Sequence, residues 1–136
     1  MRKYWPAVIA ASLTISTLAV AQEPAQAGAP KAASAEAAVG TSIADRTLAG
    51  AAESFPAATT EKLYCFSRIT NAENTEIEHV WYKGETEMAR VKLRVAGSPW
   101  RTHSSKTLGT EGAGDWRCDV VAADGKVLQS VKFKVE

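Results

Sequence analysis

The chain has 136 residues, of which 46% are hydrophobic and 23% charged, and its formal net charge is +1. That length allows one domain once the termini are set aside, and the composition is that of a globular protein. A near-neutral balance supplies no electrostatic reason for nucleic acid binding or for adhesion to an anionic membrane.

The N-terminus has the pattern of an export signal. Arg2 and Lys3 form a positive start, "AVIAASLTISTL" is a short apolar run, and Ala19-Val20-Ala21 is an A-x-A cleavage site. The expected signal peptide is 1–21, with cleavage after Ala21, and the expected location is the periplasm or the exterior. The apolar run is short for a bilayer span, so membrane involvement is expected only through this signal. Cleavage removes two of the 16 basic residues and none of the 15 acidic ones, which turns +1 into −1.

Residues 22–40, "QEPAQAGAPKAASAEAAVG", are mostly alanine interrupted by proline and glycine, with almost nothing large to bury. They are expected to be a flexible linker, with the folded domain over 41–136. Within 41–61 a first edge strand is expected around 41–48, followed by a loop broken by Pro56.

From Lys62 the sequence alternates with period two. Leu63, Cys65, Ser67 and Ile69 oppose Tyr64, Phe66 and Arg68. Ile77, His79 and Trp81 oppose Glu78, Val80 and Tyr82. Ala89, Val91, Leu93 and Val95 oppose Arg90, Lys92 and Arg94. "WRTHSSKTL" and "DWRCDVVA" follow. Asp124-Gly125 predicts a type I′ hairpin turn, and Val131, Phe133 and Val135 close the chain on an inward face. Many short strands and no long helical pattern predict an all-β fold, an antiparallel β-sandwich of about seven strands.

Two cysteines, Cys65 and Cys118, stand 53 positions apart. In an exported protein such a pair is expected to form one disulfide. Closing that loop stabilises a fold by about 4 kcal/mol in the chain-entropy model. The order Cys65, Trp81, Cys118 is that of an immunoglobulin-like sandwich, where a disulfide joins facing sheets and a tryptophan packs on it. Trp116 takes the place, two residues before the second cysteine, where that fold often has a corner tyrosine. Trp81, Trp100 and Trp116 are the expected core anchors.

Four stretches, "LYCFSRI", "HVWYKG", "WRTHSSK" and "GDWRCDVVAADGKVL", resemble in order and spacing the motifs of a bacterial family, the domain of unknown function 2914. The resemblance spans about 41–136. It implies a small exported or membrane-tethered domain and no assigned activity. Cys65 and Cys118 depart from the family pattern, which suits a disulfide added to a fold that does not need one and speaks against a catalytic thiol.

"WRTHSSK" is the most reactive-looking stretch. Ser104 or Ser105 with His79 or His103 would make a hydrolase pair, but there is no G-x-S-x-G elbow, and His103 and Ser105 lie about 7 Å apart along one strand. His79 and His103 alone make a poor metal site, and no metal or other cofactor is expected. A binding surface fits better. Arg101, His103 and Ser105 are expected outward, with Trp100 leading an inward face that includes Thr102 and Ser104. Arg90, Lys92, Arg94 and Tyr82 are further candidate contacts, and if their strands adjoin, Arg90, Lys92, Arg94, Lys132 and Lys134 would make a cationic patch. Tyr64, Phe66, Val80, Tyr82 and Val121 form an aromatic side that is either exposed or covered by 41–58, with Phe55 as the cover.

The expected function is therefore a non-enzymatic exported module binding a protein or an envelope polymer. The alternative is a glycan- or peptidoglycan-binding module using Trp100, Tyr82 and Arg101, and the remaining one is a small serine hydrolase.

Overall fold

The computed structural model describes residues 32–136. The expected signal peptide and residues 22–31 of the expected linker lie outside the described residues. The remaining chain forms β1 (Ser34–Gly40), β2 (Ser42–Ala44), β3 (Thr47–Ala49), β4 (Ser54–Phe55), β5 (Lys62–Thr70), β6 (Thr75–Lys83), β7 (Thr86–Val95), β8 (Trp100–Thr107), β9 (Gly114–Ala122) and β10 (Val127–Val135). One turn of 3-10 helix, Gly109–Glu111, precedes β9.

The strands make a three-stranded sheet, β1-β5-β8, and a five-stranded sheet, β4-β10-β9-β6-β7, with β2 and β3 as a separate hairpin. Every pairing is antiparallel except that of the two-residue β4 with β10. The period-two pattern places the core as expected: Leu63, Cys65, Ser67 and Ile69 of β5 are all buried, as are Ile77, His79 and Trp81 of β6. The two inner faces meet in one cluster built on Trp81, Trp116, Phe55, Phe133 and the cysteines, and a second built on Ile69, Ile77, Val95 and Val120. Phe133 is the aromatic hub, edge-on to Phe55 and Trp81 and stacked on Trp116.

Several expectations are corrected. Ser34–Gly40 is not linker but strand: β1 pairs with β5 from Ser34↔Thr70 to Gly40↔Tyr64. Its small side chains hid it, since Ala35 and Ala37 pack on the second cluster and only Val39 is a large buried residue. The span 41–48 is a hairpin rather than one strand. Asp45 and Arg46 form its two-residue loop, both with positive φ (51° and 61°), as a type I′ turn requires. The turn at Asp124-Gly125 is not type I′. Only Gly125 has positive φ (90°), and its N–H donates to the carbonyl of Ala122, the arrangement of a type I turn followed by a left-handed glycine.

Trp116 does more than fill volume. Its indole N–H donates to the carbonyl of Gly112, 2.8 Å away and four residues upstream. That is the tie to upstream backbone that a corner tyrosine hydroxyl makes in immunoglobulin-like sandwiches.

Candidate functional site

Strand β8 divides the polar stretch between two environments. Trp100, Thr102 and Lys106 are half-buried and Ser104 is buried, while Arg101, His103 and Ser105 are exposed. Ser104 enters a network within the core. Its hydroxyl lies 2.7 Å from His79 Nδ1 and accepts the Trp81 indole N–H at 3.1 Å. His79 Nε2 lies 2.7 Å from the Ser67 hydroxyl. Two stretches carrying the family resemblance, "HVWYKG" and "WRTHSSK", thus meet through His79, Trp81 and Ser104 in hydrogen bonds between the two sheets. The sequence placed His79 beside Trp81 but could not say which serines would face it, because strand pairing is not written in either strand alone.

A serine bonded to a histidine is the first element of a hydrolase. Here the serine is 5% exposed and the histidine 0%. Burial, and secondarily the neighbouring His103, push His79 down to about 4. A base that weak accepts no proton at neutral pH, and a tryptophan N–H already occupies the serine oxygen. Ser105, the other candidate nucleophile, points away on the opposite face.

The cysteines come together. Cys65 on β5 and Cys118 on β9 belong to facing sheets, both are 0% exposed, and both are free thiols in this structure. Cys118 stands beside Trp81 in the β6–β9 register. One donor atom each from Cys65, His79 and Cys118 lie within 4.8 Å of one another. Sequence spacing gave no sign of this trio. It falls one short of the four donors of a structural zinc site, and both ring nitrogens of His79 are held by serines. Burial, with the adjacent Cys65 thiol, holds Cys118 far above the usual thiol range, so neither its burial nor its acidity suits a nucleophile.

The surface candidates separate onto opposite sides of the sandwich. Arg90, Lys92, Arg94 and Tyr82 lie on the outer face of the five-stranded sheet, where acids interleave with them. Arg90 bonds Glu78 at 2.9 Å and Glu87 at 2.7 Å. Lys92 stands opposite Glu78 and Arg94 opposite Glu76 in the strand register. Tyr82 carries the Arg117 guanidinium 4.3 Å above its ring, and Arg117 reaches Asp119 at 3.0 Å. The expected cationic patch is therefore a mixed surface: Arg90 is ion-paired, Lys92 and Arg94 stand across from glutamates, and β10, which carries Lys132 and Lys134, is separated from β7 by β9 and β6. The expected aromatic side is also split: Tyr64 and Phe66 belong to the three-stranded sheet, whereas Val80, Tyr82 and Val121 belong to the other. Phe55 is 3% exposed within the core and covers neither.

Arg101, His103 and Ser105 lie on the outer face of the three-stranded sheet, beside a different set of neighbours. They stand opposite Arg68, Phe66 and Tyr64 of β5. His103 meets the Tyr64 ring edge-on at 6.0 Å. The β2–β3 hairpin borders a cleft of about 530 Å³ lined by Ile43, Arg46, Phe66, Trp100, Arg101 and His103, together with Pro99 and Thr102. Trp100 is consequently only partly a core anchor: it is half-buried, packs against the second cluster and is also among the residues lining this cleft. Among the described residues Arg46, Arg68 and Arg101 form no ion pair, the three ion pairs being those of Arg90 and Arg117.

All three of these arginines sit at some local cost. Arg68 and Arg101 are directly opposite in register, and like charges so placed weaken a sheet by a few tenths to about 1 kcal/mol. Arg46 holds φ = 61°, a conformation that costs a side-chain-bearing residue about 1 kcal/mol. The cleft is not legible in the sequence because Asp45-Arg46 is not a usual type I′ pair, so nothing marks the β2–β3 hairpin that borders it.

No curated protein matches the chain. Among solved structures, an immunoglobulin-like protein from Pseudomonas aeruginosa is similar in fold, with a TM-score of 0.56 and 14% sequence identity over 80% of this chain and all of that one. At that identity the likeness concerns the fold. The strand order agrees with it, with Cys65, Trp81 and Cys118 on the strands where an immunoglobulin-like sandwich has its cysteine–tryptophan–cysteine set. Residues 74–135 match the model of the family described as "Protein of unknown function (DUF2914)", a span that takes in three of the four motif stretches and begins after "LYCFSRI", and the chain resembles that family.

Proposed function

We propose that the protein is an exported, non-enzymatic β-sandwich module that binds a protein or other component of the cell envelope through the outer face of its three-stranded sheet. One observation carries the choice of face. Arg46 and Arg101 border a cleft with apolar lining there and make no ion pair among the described residues, whereas Arg90 and Arg117 of the opposite face are engaged by Glu78, Glu87 and Asp119. The export pattern at the N-terminus supports the location, and in that compartment Cys65 and Cys118 close a disulfide between the sheets. The non-enzymatic reading is supported by the burial of both serines that meet His79 in hydrogen-bond contact, Ser67 and Ser104.

A glycan platform built from Trp100, Tyr82 and Arg101 has less support, because Tyr82 lies on the other sheet beneath Arg117. Retention on purified cell envelopes tests the face. A variant carrying Arg101→Thr and His103→Thr should lose retention, and one carrying Lys92→Thr and Arg94→Thr should keep it. Retention unaffected by the first pair would sink the reading.

A further inference from the structure

We infer that the cleft between the β2–β3 hairpin and β8 is a docking site for an extended acidic segment of a partner protein, with carboxylates on Arg46 and Arg101 and an apolar side chain against Phe66. The inference rests on the binding face proposed above and names its occupant. Its volume of about 530 Å³ suits a side chain or two. Its apolar lining comes from Ile43, Phe66, Pro99 and Trp100, and Arg46 and Arg101 line it from two different elements, the β2–β3 turn and β8.

Placement of the arginines argues for a ligand rather than for the fold. Arg101 faces Arg68 across the strand pair, and Arg46 occupies a turn position where glycine or asparagine would be easier. Neither has an ion-pair partner among the described residues. Two independent local costs therefore converge on one cleft; an anion relieves the repulsion and supplies the partner that both cleft arginines lack, and Arg46 keeps its turn conformation to present its guanidinium. Residues held in sparsely populated backbone conformations cluster at ligand sites. Guanidinium forks suit planar carboxylates, and the apolar lining favours a peptide side chain over a bare inorganic anion. Glu36 on β1, opposite Arg68, is the acid that this face does carry, and it makes no ion pair with it.

The test titrates the purified chain with a capped peptide in which Glu and Asp flank a Leu-Phe pair, and with the same peptide bearing Gln and Asn. Amide shifts should gather at Phe66, Arg101 and His103, and the uncharged peptide should bind about tenfold more weakly. Arg46→Gly and Arg101→Thr should each weaken binding about fivefold or more, while raising the melting temperature by about 2–5 °C as the local costs disappear. A structural role for either arginine would lower the melting temperature instead, and would overturn the inference. So would equal binding of the two peptides, shifts on the five-stranded sheet, or arginine-dependent binding to phosphatidylglycerol vesicles with no binding of the peptide. If neither peptide binds while envelope retention still needs Arg101 and His103, the acidic segment is the wrong occupant and the wider reading stands.

Discussion

His79 is held neutral between two serine hydroxyls with water excluded, and that has a consequence in acid. The unfolded chain takes up a proton on this imidazole near pH 6.5, whereas the folded protein resists protonation down to about 4. A lowered value means that the stabilisation is complete above pH 6.5 and is lost as pH falls through the interval to 4. The gap corresponds to roughly 3 kcal/mol. Urea unfolding midpoints should therefore decline between pH 6.5 and 4, and the decline should be shallower in His79→Gln, even though that variant is weaker throughout. An equal decline in both would remove His79 as its source. The inward direction of His79 was legible from its alternation with Val80 and Trp81. Its two partners, Ser67 and Ser104, were not, because they come from strands 12 and 25 residues away whose pairing depends on the whole fold.

Among the elements, β1 and the β2–β3 hairpin show where alternation fails as a signal. Long strands with branched or aromatic residues announce themselves, and β5, β6, β7, β9 and β10 could be drawn from the sequence. An alanine strand does not, because its inward residues differ little in size from its outward ones. What pins β1 is close backbone approach at its end. At Gly40 an added Cβ would lie 2.6 Å from the Ala49 carbonyl oxygen and 2.8 Å from the Leu48 side chain. Gly40→Ala must push the hairpin away, at a cost of about 1–3 kcal/mol. Gly97→Ala is the matching control, since its Cβ would make only ordinary contact, 3.5 Å from the Trp100 ring, and should change stability by less than about 0.5 kcal/mol. Thermal melts of the two variants check this; a neutral Gly40→Ala would mean that the crossing is loose. The cleft depends on the same hairpin, so it stayed hidden for the same reason.

For the whole molecule, the two-sheet architecture was legible because one cysteine–tryptophan–cysteine order specifies facing sheets. The distribution of surface charge between those sheets was not, since each strand shows its own alternation and not its neighbours'. The proposed Cys65–Cys118 link would be the covalent tie between the layers. Alkylation of the unfolded, unreduced protein should detect no free thiol, and reduction should lower stability by about 4 kcal/mol. Two labelled thiols would show that the sheets are held by packing and the His79 network alone. The labelling must be done on unfolded protein, because both sulfurs are fully buried in the folded state.

Tryptophan placement gives the molecule an optical asymmetry. Trp81 and Trp116 are sealed in the core, while Trp100 is half-exposed and lines the cleft. Emission from the folded domain accordingly divides into a blue, quencher-resistant part from two indoles and a red, quencher-sensitive part from one. Anything that fills the cleft alters only the second, so the protein carries its own dye at the surface where its partner is proposed to bind.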